Sequence, residues 1–244
     1  MIKTRHTQWA HFVFAAYIRW LLRRNFHSLN LLGDTPVIEA DQPILLLPNH
    51  SSWWDGFFVY FLNEKLLNRR LYLMMLESQL KKYPFFARVG AFSIDPGHPK
   101  NVLTSLEYSR SILELPVSPA PLLCLFPQGV LRPNLIRPLG LEKGPDWIIK
   151  KSKRKLTVLT LGIRIEFLDQ QLPEVFFQFA RVADSDCQKS ADLESLEHSL
   201  TNLLDSIEKQ ILTGSKGISL LKGSSSLNEK WDSFMKTIRQ KTGN

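Results

Sequence analysis

Four apolar residues, Ile44-Leu45-Leu46-Leu47, stand between Pro43 and Pro48 and lead straight into Asn49-His50-Ser51-Ser52-Trp53-Trp54-Asp55. The run is too short for a helix and is bounded by prolines, so it predicts a strand buried on both faces. From Gly56 to Leu67 the chain is crowded with Phe57, Phe58, Tyr60, Phe61 and Leu62, which predicts a helix, most of it in the core. Strand, tight loop and helix in this order are the repeating unit of an α/β fold. In such folds ligands and reactive groups collect where a strand hands over to a helix, because the helix N-terminus leaves N–H groups free. His50 sits at that handover.

His50 and Asp55 are five positions apart across the loop, a spacing that lets the carboxylate turn back and accept the imidazole N–H. The second ring nitrogen is then left as a base, as in hydrolase triads, with a hydroxyl of a second substrate in place of the serine. The same residues fit a different role. Ser52-x-x-Asp55 matches a capping box, in which Asp55 only closes the first helical turn and His50 is an ordinary loop residue. Spacing alone leaves both readings open.

The rest of the chain bears on that choice. Asn49-His50-x4-Asp55, then Gly90-Ala91-Phe92-Ser93-Ile94, then Phe126-Pro127-Gln128-Gly129 resemble, in order and interval, the N-H-x4-D, G-x-x-x-I and F-P-x-G blocks of the lysophospholipid (glycerophospholipid) acyltransferase family. The resemblance covers roughly residues 30 to 170. It implies that His50 is the catalytic base and Asp55 its partner, and that the Phe126–Gly129 loop helps position the acceptor. It also implies an acyl thioester of CoA or acyl carrier protein as co-substrate, with no further cofactor. The family usually has Arg two positions after the Ile of its second block, where this chain has Pro96, and Glu in its third, where it has Gln128. Pro96 offers no donor to a phosphate, and Gln128 suits neutral hydroxyls, so the expected acceptor is uncharged, such as the sugar of a glycolipid or a glycosylated carotenoid. The alternative acceptor is lysophosphatidate, gripped by Arg132 or Arg137.

The 244 residues suffice for one substantial α/β core, and no linker-like shift in composition divides them. With 31 Lys and Arg against 23 Asp and Glu the chain carries net charge +8, which favours anionic partners. The basic residues fall in separated groups without a nucleic-acid motif, so a membrane surface is the expected one. A catalytically inactive membrane-binding protein with this fold is the competing class, but it would have no use for His50 and Asp55. Cys124 and Cys187 form neither a disulfide framework nor a metal site, which points to a reducing compartment. No His or Cys cluster suggests a metal.

In residues 1–30, Trp9, Val13, Tyr17, Trp20 and Leu21 recur at helical spacing, among Arg5, Arg19, Arg23 and Arg24. The run from Trp9 to Ile18 is well short of the ~20 apolar residues of a bilayer span. Its Trp, Tyr and Arg content suits an interfacial amphipathic helix. A helix packed on the core of a soluble domain is the other reading. The family's N-terminal membrane-docking helices favour the first, and with it a peripheral position on the cytoplasmic face of a membrane. The expected organisation is therefore a docking segment, 1–30, and an acyltransferase domain, 31–244. Further strands are expected at Pro36–Glu39, Leu71–Leu76, Val89–Ile94, Leu122–Phe126, Leu156–Ile163 and Glu174–Val182. Helices are expected at Asn101–Leu115, Ser190–Leu212 and around Trp231, Phe234 and Ile238, the last preceded by a Gly/Ser loop. The fold class expected is a mostly parallel sheet flanked by helices. The loop after Gly129, with Arg132, Arg137, Gly140 and Lys143, could hold a headgroup or a carrier's phosphate, and Lys150–Lys155 could touch anionic lipid.

Overall fold

A computed structural model of the chain describes residues 1–183 and 192–224, with Trp231, Met235 and Ile238. Cys187, Ser190, Ala191 and Phe234 lie outside the described residues. In chain order the elements are α1 (Gln8–Asn25), β1 (Ser28–Leu31), β2 (Ile44–Pro48), α2 (Asp55–Leu62), β3 (Leu71–Leu76), α3 (Glu77–Lys82), β4 (Ala91–Ile94) and α4 (Pro99–Leu113). There follow β5 (Leu122–Cys124), α5 (Gly144–Lys151), β6 (Thr157–Glu166), β7 (Glu174–Ala183), α6 (Leu193–Leu212) and β8 (Ile218–Lys222).

The strands form one sheet in the order β4-β3-β5-β2-β6-β7-β1-β8. The first five of that order run parallel. β7 turns back antiparallel to β6, β1 pairs parallel with β7, and β8 closes antiparallel to β1. Side chains alternate across a strand, and β2 uses both of its faces. Ile44 and Leu46 join the core with Phe14, Ile18 and Leu22 of α1 and Phe57, Phe58 and Phe61 of α2. Leu45 and Leu47 join Leu106 and Leu113 of α4, Ile148 of α5 and Leu196 of α6. The result is a single α/β domain with a mostly parallel sheet flanked by helices, as the sequence predicts.

Three local features depart from expectation. Pro36–Glu39 is not a strand: the carbonyls of Ile38, Glu39 and Ala40 accept from the Arg69 guanidinium and that of Val37 from Arg181, so no neighbouring strand uses them. Ser28–Leu31 is a strand that crosses the end of the segment assigned to docking, and it lies in the middle of a β7-β1-β8 ribbon. β8 occupies what reads as a Gly/Ser loop. Its flanking glycines permit the pairing: a Cβ at Gly217 would sit 2.2 Å from the Leu31 carbonyl oxygen, and one at Gly223 would sit 1.7 Å from that of Phe26.

α1 has one face on the core and leaves a row of large apolar side chains exposed. Ala10, Phe14, Ile18 and Leu22 face the core, while Trp9, Phe12, Val13, Tyr17 and Trp20 are exposed. Among the described residues no helix is long and apolar enough to cross a membrane.

Candidate active site

β2 and β5 are adjacent and parallel, with Leu46 opposite Cys124. Their C-terminal ends therefore deliver two loops to one point of the sheet edge: Asn49–Trp54 and Phe126–Gly129. The rings of His50 and Phe126 stack there at 4.1 Å between centroids.

Asp55, the first residue of α2, is fully buried. Its Oδ2 accepts from the N–H groups of Ser51 (2.8 Å) and Ser52 (2.9 Å) and from His50 Nδ1 (2.9 Å), and its Oδ1 accepts from Ser52 Oγ (2.6 Å). A buried carboxylate is tolerated when its lone pairs are filled in this way. Half of a capping box is formed, the arm from Ser52 N–H to the carboxylate. The other half is shifted by one residue: Ser52 Oγ, while donating to Asp55, accepts the Trp54 N–H at 3.2 Å, and the Asp55 N–H donates to the Ser52 carbonyl. The capping and His-orienting roles are thus combined in one side chain. An ionised Asp55 can only accept, so Nδ1 carries the hydrogen and Nε2 of the neutral ring keeps its lone pair. Nε2 has no partner among the described residues, and the ring is partly exposed. The arrangement can take a proton from a hydroxyl brought to Nε2. Beneath it, burial and the Asp55 carboxylate push the Cys124 thiol well up, so it stays a thiol.

The loops are fixed by contacts that the motif spacing does not reveal. Gln128 is 2% exposed, and its Oε1 accepts from the His50 backbone N–H at 2.6 Å. It touches the base's own backbone, not open space. The Arg132 N–H donates to the His50 carbonyl at 2.8 Å, so the chain on either side of Val130-Leu131 is clamped to His50. Gly129 has φ +68°, and a Cβ there would lie 3.1 Å from Glu142 Cγ. The Pro127 carbonyl accepts the Glu142 N–H. Asn49 is buried and reads the backbone of Ile163 in both directions: Nδ2 to its carbonyl at 2.9 Å, Oδ1 from its N–H at 2.7 Å. Asn49 Nδ2 also donates to Asn134 Oδ1 at 2.7 Å. Asn134 went unnoticed in the sequence, since nothing local to it signals a partner 85 residues away.

Two cations stand near this edge in different settings. Arg132 belongs to the His50 cluster through its backbone, and its Nε is buried with no hydrogen-bond partner. Arg137 is turned away, donating to Asp205 on α6 at 2.6 Å and to the Asn134 and Ile136 carbonyls. An open groove of about 920 Å³ separates that loop from α6, lined among others by Leu135, Arg137, Glu197, His198 and Asp205; His50 is not part of it. Pro96 follows β4, three strands from β2, on the order of 14 Å by strand spacing. Among the described residues no group of three or more His, Cys, Asp or Glu side chains is placed to hold a metal.

The fold is similar to that of a crystal structure of the 1-acyl-sn-glycerophosphate (LPA) acyltransferase PlsC from Thermotoga maritima. That likeness has 13% identity, covers 84% of this chain and 79% of that one, and has a TM-score of 0.55. It is a likeness of fold. No curated protein sequence matches the chain. The family model described as Acyltransferase matches residues 30–157, just over half of the 244. The matched span runs from β1 to the first residue of β6, so it holds His50, Asp55 and the Phe126–Gly129 loop, and the chain belongs to the acyltransferase family.

Proposed function

We propose that this acyltransferase moves a fatty acyl group from a thioester of CoA or acyl carrier protein to a hydroxyl of a membrane lipid, with His50 as the base. The observation that carries this reading is the buried Asp55 on His50 Nδ1 with Nε2 left open. Nε2 takes the hydroxyl proton as the oxygen attacks the thioester carbonyl. The tetrahedral intermediate collapses, the C–S bond breaks, and the proton passes from His50 to the departing thiolate. Asp55 fixes the tautomer and stabilises the imidazolium. Gln128 and Asn49 hold the base's loop. No cofactor beyond the acyl donor enters the scheme.

For the acceptor we favour an uncharged hydroxyl, such as the sugar of a glycolipid or a glycosylated carotenoid. Pro96 offers no donor where an arginine would grip a phosphate. A second acceptor, lysophosphatidate, is supported by Arg132, whose backbone is bonded to His50 and whose Nε has no hydrogen-bond partner. The exposed aromatic face of α1 and the net positive charge support peripheral docking on an anionic membrane surface, at the cytoplasmic face, where acyl-CoA is available.

The test is to offer purified protein a labelled acyl-CoA, or the acyl carrier protein thioester, with a total lipid extract, and to identify the labelled product by mass spectrometry. A neutral glycosylated product supports the favoured acceptor. Phosphatidate as the dominant product, formed with an efficiency that collapses in Arg132→Ala, would replace it with the second.

A further inference from the structure

Single exposed apolar side chains are ordinary, whereas a concentration of them around one place marks a contact surface. In this chain they gather around His50. Trp53, in the His50 loop itself, is 67% exposed. Val130 and Leu131 are exposed between Gln128 and Arg132, both hydrogen-bonded to the His50 backbone. Leu135, though 76% exposed, lines the separate groove against α6. β6 also reaches this edge and passes it. Pro48, the last residue of β2, pairs with Leu161, so β6 runs on to Glu166 by roughly 16 Å, at the usual rise of a strand. The turn that follows carries Phe167, 71% exposed, and Leu168. Two loops and the β6–β7 turn thus present exposed apolar side chains at the edge that carries His50.

Charge identifies what they meet. β1 begins level with Glu166 through β7, so the last turn of α1 and the last residue of β8 lie on this same edge. They place Arg23, Arg24 and Lys222 there, all exposed. Asp169 and Glu166 of the hairpin, the latter paired with Arg164, and exposed Glu142 beside Gly129 are the opposing charges. The edge is also continuous with α1: Phe26, just past the helix, packs edge-to-face on Trp54 of the His50 loop at 5.0 Å. Apolar side chains flanked on one side by cations match an anionic lipid interface.

We propose that the C-terminal edge of the sheet itself enters an anionic bilayer, seating Trp53, Val130-Leu131 and the Phe167-Leu168 turn among the lipids. His50 then opens directly onto the membrane. The proposal rests on the acyl-transfer reading for its purpose, since a lipid hydroxyl would reach the base without leaving the bilayer.

The test uses sedimentation of the full chain with phosphatidylcholine–phosphatidylglycerol vesicles. Phe167→Asp/Leu168→Asp and, separately, Val130→Asp/Leu131→Asp should each weaken vesicle binding by about tenfold or more, the consequence of two apolar side chains no longer leaving water. Val37→Asp alters a side chain that is 86% exposed in the segment entering the opposite end of β2, and should change nothing. Unaltered binding by both edge variants would overturn the proposal, as would an equal loss in Val37→Asp. A lipid-free dimer that dissociates in the edge variants would assign the surface to a second copy of the chain and overturn it too. Binding is read without turnover. If edge variants lose vesicle affinity in a protein that transfers no acyl group, the docking edge stands and the transfer reading fails.

Discussion

Asp55 accepts from His50 Nδ1 and from two backbone N–H groups through a single oxygen, so Asp55→Asn cannot be a purely catalytic change. An amide that keeps its oxygen on these three donors sets its NH2 against Ser52 Oγ, whose hydrogen then loses its acceptor, and an amide turned the other way sets its NH2 against both N–H groups and the imidazole N–H. The expected outcome is a loss of about 1–3 kcal/mol of stability together with a severe loss of turnover, read from urea melts and from initial rates on the folded fraction. Lost stability with full turnover would make Asp55 a cap and nothing more. Gln128 gives a complementary case. Gln128→Ala strips the buried His50 N–H of its acceptor, at a cost of about 1–3 kcal/mol, and should lower turnover by letting the base drift. Gln128→Glu retains an oxygen acceptor and should restore much of both; a Glu variant as damaged as the Ala variant would show that the hydrogen bond to His50 is not what Gln128 supplies.

Elements whose instructions are local were legible in the sequence. β2 is announced by its flanking prolines, β3 occupies its expected span, and the first turn of α2 follows from Asp55. What was not legible depends on distant partners. β1 is only four residues, and its strand character comes from β7 and β8. β8 is hidden in a glycine-rich stretch because those glycines serve close approach, not looseness. Pro36–Glu39 has strand-like residues but gives its carbonyls to Arg69 and Arg181. The site divides in the same way: His50 and Asp55 stand out through the three blocks read together, whereas the partners of Asn49, Asn134 and the inward turn of Gln128 emerge only when the loops meet. The start of α1 yields a further expectation. His6 Nδ1 lies 2.9 Å from His11 Nε2, and His11 Nδ1 lies 3.1 Å from the Tyr60 hydroxyl. Burial, then Arg70, then His11 push His6 down to about 3, and burial and Arg70 lower His11. Below about pH 6.5 the unfolded imidazoles take up protons that the folded ones refuse. Stability should therefore be level above that pH and decline as the pH falls from 6.5 toward 3. His6→Gln should flatten the part of the decline above the carboxylate range, measured as the difference between urea midpoints at pH 8 and pH 5. An unchanged difference would mean that His6 is not held neutral by the fold.

At the scale of the whole molecule, one end of the sheet gathers the base, the apolar loops and the cationic ends of α1 and β8, while α1 carries its aromatic ridge along one face. Removing the first residues would not isolate that ridge, because Ile18 and Leu22 are core and β1 is in the sheet. Surface changes separate the two: Trp9→Glu/Phe12→Glu should weaken binding to anionic vesicles while leaving the thermal melt nearly unchanged, and added salt should release part of what remains. Vesicle binding unaffected by that pair would confine α1 to its packing role. The central claim is that His50 is the base of an acyl transfer, and one comparison tests it most directly. Purified wild-type protein and His50→Ala, matched for folding by circular dichroism, are assayed for transfer of labelled acyl from its thioester to lipid. The account predicts acylated lipid from the wild type and a rate lower by about two to four orders of magnitude in His50→Ala, as expected for the loss of a general base. Acyl transfer by His50→Ala at the wild-type rate would contradict it.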